Sequence, residues 1–160
     1  MPFESVPVTD PRARELLTEY FGYRAATFPS PGGYVVAMPA DDAFTPPDGE
    51  FLLLTDDHGR AIGCGAVRRL ADEVLGAPAR SVWEVKHLWV RETARGSGAG
   101  RRLLAELEGR AAARGAQTLV LDTNASLTAA NGLYASSGYS PIPAYNDNPN
   151  ATTWYRKDLR

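Results

Sequence analysis

The chain has 160 residues, a formal net charge of −2, 44% hydrophobic and 22% charged residues, which suits one globular domain able to bury a core. That charge argues against a general nucleic-acid or membrane-surface binder, and the single cysteine, Cys64, excludes an internal disulfide framework. No stretch is long and apolar enough to span a bilayer. Met1-Pro2-Phe3-Glu4 lacks the basic start and apolar run of a signal peptide, so a cytoplasmic location is expected.

Taken in chain order, Phe3 to Val8 alternates and predicts a first strand. Asp10-Pro11 reads as an N-cap followed by proline at the first helical position, opening a helix through Arg14, Leu16, Leu17 and Tyr20 that breaks near Gly22. Residues 28–49, rich in Pro, Gly and Asp, predict a long loop or a poorly regular helical segment over one face. Phe51–Thr55 and Ala61–Arg69, joined by the turn Asp56-Asp57-His58-Gly59, form a hairpin. Gly63 and Gly65 within it indicate close backbone approach or a bulge. After a turn around Gly76-Ala77-Pro78 comes a long strand, Ser81–Val90, whose partial alternation suits cover on both faces. A glycine-rich turn then leads into a helix whose Leu103, Leu104, Leu107 and Ala111 form one apolar stripe, stopped at Gly115. Thr118–Asp122 reads as a buried strand, and Ser126 as the cap of a helix through Ala130 and Tyr134 to Gly138. A proline-interrupted strand Tyr139–Tyr145, a turn Asn146–Asn150 and a last strand Thr152–Leu159 complete the chain. The order implies a single mixed α/β domain.

The segment Arg95-Gly96-Ser97-Gly98-Ala99-Gly100 carries the chemistry. A helix start leaves its first N–H groups without partners and adds partial positive charge, and glycines let an anion approach the backbone. With Arg95, Arg101 and Arg102 nearby, the predicted ligand is a diphosphate. A P-loop would need Gly-Lys-Ser/Thr where Gly100-Arg101-Arg102 stands. A dinucleotide fingerprint would need a third glycine where Arg101 stands.

The run from Val90 to Leu104 resembles the acetyl-CoA loop of the GNAT (GCN5-related N-acetyltransferase) superfamily, with Arg95, Gly98 and Gly100 in its fixed places. Ala130-Asn131-Gly132-Leu133-Tyr134 through Gly138-Tyr139 is similar to the family's second segment, A-x-x-L-Y-x-x-x-G-F/Y. The resemblance covers roughly residues 50–160; residues 1–49 would form the variable acceptor side, and 50–160 the cofactor-binding core with its C-terminal hairpin. It implies a mostly antiparallel central sheet with flanking helices, whose strands splay around an acyl-CoA cleft. It implies acetyl-CoA as co-substrate, no metal, and backbone groups of Leu88, Trp89 and Val90 along the pantetheine arm. Arg95, Gly96, Ser97, Gly98, Ala99, Gly100 and Arg101 would cradle the pyrophosphate. One departure stands out: Leu127 occupies a place where many members have Asn, and Asn124 is the nearest polar substitute.

Acetyl transfer to an amine of pKa about 10.4 needs its rare neutral form, which costs about 4.6 kcal/mol at pH 7 at about 1.36 kcal/mol per pKa unit. A general base speeds such a step by about 10²–10⁴-fold, an N–H donor stabilises the developing oxyanion, and an acid helps the thiolate leave. By the resemblance, Val90 N–H is the oxyanion donor, Glu84 the base and Tyr134 the acid. Strand parity places Glu84, Lys86, Leu88 and Val90 on one face and His87 on the other, which gives His87 a structural role; a plain ion-paired carboxylate is the competing reading of Glu84.

Tyr145 and Asp147 are candidate substrate contacts in the Asn-rich turn, with Asp41 and Asp42 adding negative potential. His58 reads as a solvated turn residue and Cys64 as a small core residue. Trp83, Trp89 and Trp154 read as core or pocket walls, and no cluster has metal-ligand spacing. The expected activity is acetylation of a small-molecule primary amine by direct attack in a ternary complex, with a homodimer compatible. A protein or peptide acetyltransferase and a non-catalytic acyl-CoA sensor are the alternatives.

Overall fold

The structure, a computed structural model, describes residues 2–76 and 80–159; the turn expected at Gly76-Ala77-Pro78 lies mostly outside them. The described elements run β1 (Phe3–Ser5), α1 (Pro11–Thr27), β2 (Gly49–Thr55), β3 (Ala61–Arg69), β4 (Val82–Val90), a 3-10 turn (Glu92–Ala94), α2 (Ala99–Ala113), β5 (Thr118–Thr123), α3 (Thr128–Ser136), β6 (Ser140–Ile142) and β7 (Thr153–Asp158). They build a seven-stranded sheet ordered β1-β2-β3-β4-β5-β7-β6. All pairings are antiparallel except β4 with β5, so the expected mixed, mostly antiparallel α/β sheet is the one observed.

Each face of the sheet buries its own cluster. On one, Leu103, Leu104 and Leu107 of α2 pack with Leu52, Leu54, Val67, Trp83 and Val85, and α3 adds Tyr134. On the other, Leu16, Leu17 and Phe21 of α1 pack with Phe44, Phe51, Leu53, Cys64 and Ala66. A fully buried leucine contributes about 1.5–3 kcal/mol, so the α2 stripe seats its helix firmly. Gly65 explains the close approach: a Cβ there would lie 2.6 Å from Leu107 Cδ1.

Several boundaries differ from expectation. Asp10 caps α1 as expected, accepting from Arg12 N–H at 2.8 Å, but the helix runs on through Gly22 to Thr27. Gly22 faces open space, and buried Phe21 and Arg24 anchor the turns around it. The first strand is short because Val6 and Val8 turn into the α1-side core. Ser126 does not cap α3; Leu127 holds that place without a side-chain bond. The strand after α3 is only Ser140–Ile142, since proline cannot donate to a ladder and Pro141 and Pro143 interrupt it.

Two irregularities of β4 create the site. Its pairing with β5 covers only Val82–Glu84 against Thr118–Val120, after which the strands part. Opposite β3, the register steps from Ala66↔Lys86 to Cys64↔Trp89, so Gly65 alone faces both His87 and Leu88. This is a β-bulge, and His87 sits at φ 56° within it. The extra residue inverts the alternation: Arg68, Glu84, Lys86 and Trp89 fall on the α1 side, while Leu88 and Val90 join the α2-side cluster. The expectation that Glu84 shares a face with Leu88 and Val90 is therefore corrected, as is the placement of His87 opposite Glu84. His87 packs edge-on to Phe21, Tyr20 and Phe44 on the α1 side.

Candidate active site

Two cavities lie where β4 leaves β5. The first, of about 480 Å³, runs between β4 and α3 and is lined by Trp89, Val90, Arg95 and Gly100 on one wall and by Thr128, Ala129 and Leu133 on the other. Gly96 and Gly98, at φ 80° and 82°, are strained for any L side chain, and a Cβ at either would meet nothing within 4 Å. Their backbone at the start of α2 is thus open to an approaching anion. The helix ladder begins with Arg102 N–H bonding the Gly98 carbonyl at 3.0 Å, so the N–H groups of Ala99, Gly100 and Arg101 precede it without intrahelical partners. The loop thus fits a diphosphate. Arg95 braces it, donating to the Val90 carbonyl at 3.0 Å and stacking its guanidinium 4.7 Å from the Trp89 ring centroid. Arg101 donates to Ser136 and Ser137 at the end of α3, and Ser97 Oγ donates to the Ala94 carbonyl at 2.6 Å.

The second cavity, of about 430 Å³, lies on the α1 side. Tyr20, Phe21, Tyr34, Phe44 and His87 supply aromatic walls, while Arg24, Arg68, Lys86 and Asp122 supply charge. Its roof is the loop over residues 28–48, tied to the β6–β7 loop by Asn150. That amide accepts from Val35 N–H at 2.9 Å and donates to the Val35 carbonyl at 2.7 Å. The Asn-rich turn is thus a hydrogen-bonded latch. Asn146 donates to Asp122 at 2.7 Å and accepts from Trp154 Nε1 at 2.9 Å.

The two cavities share Tyr20, Arg24, Leu88, Leu127, Ala130 and Tyr134. Tyr134 is buried between the rings of Tyr139 and Tyr155, and burial raises its phenol pKa, keeping the proton on oxygen. Its hydroxyl has no protein hydrogen-bond partner among the described residues.

The other candidates take diverse positions. Glu84 is 1% exposed and lines neither cavity. Its Oε1 pairs with Arg68 at 2.8 Å and lies 3.9 Å from Lys86 Nζ, while Tyr145 Oη donates to Oε2 at 2.6 Å. Tyr145 is thereby committed to Glu84, and burial followed by that negative charge raises its pKa. Asp147 is exposed and outside both cavities, and Asp41 pairs with Arg14. Asn124 is buried, holding Ser126 N–H and the Asn150 carbonyl rather than lining a cavity. Leu127 does line both. Cys64 is buried, with burial raising its thiol pKa. Among the described residues no group of His, Cys, Asp and Glu could hold a metal ion, and no helix is long and apolar enough to cross a membrane.

The family model for the acetyltransferase (GNAT) family matches residues 11–139. The chain belongs to the GNAT acetyltransferase family, the acetyl-CoA-dependent N-acetyltransferases. Within it, the chain is 36% identical over 106 residues to an uncharacterized N-acetyltransferase of Schizosaccharomyces pombe, a match covering 66% of this chain and 61% of that protein. The match therefore spans less than two thirds of the yeast protein's length. An IAA acetyltransferase of Azospirillum brasilense is 29% identical over 138 residues, covering 84% of this chain and 83% of its own. A solved structure from Klebsiella pneumoniae, described as an acyl-CoA N-acyltransferase, superposes with a TM-score of 0.76 at 25% identity, covering 99% of this chain and 97% of that one. In this GNAT acetyltransferase, sequence reasoning missed Tyr20, Arg24 and His87. Tyr20 and Arg24 stand four apart on α1, a spacing that puts them on one helix face. Gly63 and Gly65 offered a bulge as one reading, and the register does shift at Gly65, but nothing local tells which residue of β4 it turns into the cavity.

Proposed function

We propose that this enzyme moves the acetyl group of acetyl-CoA directly to the primary amine of a small molecule, with both substrates bound at once. The observation carrying this is the meeting of two cavities at Tyr134 and Leu88. One has a diphosphate-fitting loop; the other is roofed, walled by aromatics and sized for a small molecule. A roofed cavity favours a small acceptor over a protein segment, and the Azospirillum relative carries a small-molecule name.

Acetyl-CoA supplies the acyl group as a thioester. Arg95 through Arg101 would hold its diphosphate, and the free edge of β4 at Leu88, Trp89 and Val90 would hold its arm, with Val90 N–H as the oxyanion donor. Tyr134 holds a proton at Oη for the departing sulfur. Cys64 is buried as a thiol and lines neither cavity, which supports direct attack over an acyl-cysteine route.

For the amine's proton, two residues compete. Glu84 is fully engaged by Arg68 and Tyr145, which suits it to positioning Arg68 and Lys86 on the cavity wall. His87 lines the cavity with a buried, unpartnered Nδ1. Burial, then the charges of Lys86 and Arg68, push its pKa down to about 3, so its conjugate acid is far too weak to hold a proton taken from an amine near pH 7. We therefore assign the positioning role to Glu84 and a neutral wall role to His87, and the amine reacts from its neutral fraction. Thiol release from acetyl-CoA over a panel of small amines, with both substrates varied, tests the reading. Intersecting double-reciprocal lines are expected. Parallel lines would remove direct attack, and turnover confined to peptides would remove the small acceptor.

A further inference from the structure

The acceptor cavity carries a charge without a partner. Arg68 is paired with Glu84, and Lys86 stands near the same carboxylate. Asp122 is the carboxylate on the wall, and it already accepts from Asn146. Arg24 is different. It is 8% exposed, yet no Asp or Glu among the described residues forms an ion pair with it. It donates one hydrogen bond, to Tyr20 Oη at 3.2 Å, and its guanidinium lies 5.1 Å from the Tyr34 ring centroid and 6.0 Å from that of Tyr20. A guanidinium carries five N–H donors, so most of its capacity is unused. A buried cation normally has an anionic partner, because desolvation otherwise disfavours it strongly.

Resting on the acetyltransferase reading above, we infer that Arg24 binds a carboxylate of the acceptor, and that the acceptor is an α-amino acid with an aromatic or large apolar side chain. Position supplies the link between carboxylate and amine. Arg24 is among the residues lining both cavities, so an anion against it lies beside the place where acetyl transfer occurs. An α-amino acid, whose amine stands two bonds from its carboxyl carbon, meets that proximity. The aromatic walls of Tyr20, Phe21, Tyr34 and Phe44 then receive the side chain. Lys86 adds a second positive charge to the same wall. This lining disfavours polyamines, whose extra cations would face Arg24 and Lys86 with Asp122 as the one carboxylate among the lining residues. Guanidinium–carboxylate pairing is frequently bidentate and fixes orientation as well as affinity.

The test compares L-phenylalanine, L-phenylalaninamide and phenethylamine as acceptors at saturating acetyl-CoA, with rates corrected for the neutral-amine fraction. A charged hydrogen-bonded contact is worth about a ten- to hundredfold preference, so kcat/KM for the acid should exceed that of the amide and the amine by about that factor. Arg24→Met should erase the preference to within about threefold, and Arg24→Lys should keep part of it. Both variants should still bind acetyl-CoA by calorimetry, which separates a lost preference from a lost donor site. The Tm of Arg24→Met should not fall, because the change removes an unpaired buried charge. Equal use of all three acceptors by the wild type would overturn the inference and leave the acetyltransferase reading standing. An equal loss on all three in Arg24→Met would also overturn it. Failure to acetylate any amine despite acetyl-CoA binding would overturn both.

Discussion

Replacing Tyr134 by Phe removes one oxygen from the junction of the two cavities and little else. The ring stays packed between Tyr139 and Tyr155, at centroid distances of 6.0 and 5.8 Å. The hydroxyl bonds no described protein group, so its loss orphans no partner, and the stability change should stay within about 0.5 kcal/mol. Its catalytic effect should be far larger. A positioned acid contributes about 10²–10⁴-fold, which at about 1.36 kcal/mol per tenfold is about 2.7–5.4 kcal/mol of barrier. Because burial raises the phenol's pKa, the acid form persists through neutral and mildly basic pH. Wild-type activity should therefore show no fall below pH 10 traceable to Tyr134. The assay is steady-state thiol release, with acetyl-CoA affinity measured separately by calorimetry. A kcat reduced at least a hundredfold with an unchanged Kd is expected. A kcat within twofold of wild type would refute the general-acid assignment and leave Tyr134 as a core aromatic.

Gly98→Glu should abolish acetyl-CoA binding by calorimetry, since it places a negative charge at the phosphate loop and strains a residue at φ 82° by about 1–2 kcal/mol. Glu84→Gln keeps an acceptor for Tyr145 while discharging the partner of Arg68. A positioning role raises the acceptor KM with kcat within about tenfold, whereas a base role lowers kcat by about 10²–10⁴-fold at constant KM. For His87 the folded pKa, about 3, lies below the ordinary 6.5. The unfolded chain therefore binds a proton first as pH falls. The stability due to neutral His87 is complete above about pH 6.5 and declines progressively between there and about pH 3. His87→Gln should flatten that part of the Tm-versus-pH curve; an identical slope in the variant would show that other groups cause it.

Much of the donor side was legible because its chemistry is local. Gly96, Gly98 and Gly100 with the following apolar stripe specify a turn, a helix start and a packed helix within twenty residues. Backbone N–H groups at that start bind a diphosphate whatever the rest of the fold does. Tyr134 followed from its place in a second local pattern. The succession of strands and helices along the chain was readable from hydrophobic runs and turn residues, whereas the largely antiparallel sheet was implied by the family resemblance.

The acceptor side was not local. Its walls come from α1, the loop over residues 28–48, the β4 bulge, the end of β5 and the Asn150 latch, segments that only the folded sheet brings together. Parity along β4 was a sound rule applied to a strand that breaks it: one extra residue at His87 moves Leu88 and Val90 to the other face and leaves Glu84 paired beneath the cavity. The Asn-rich turn is conspicuous in sequence, but whether its amides meet a substrate or each other depends on what stands opposite. By itself the sequence determined the donor loop, because the groups that bind a diphosphate belong to one continuous stretch of backbone. Only the tertiary structure decided the charge and shape of the α1-side cavity, because it is the packing of distant elements that leaves Arg24 without a carboxylate partner among the described residues.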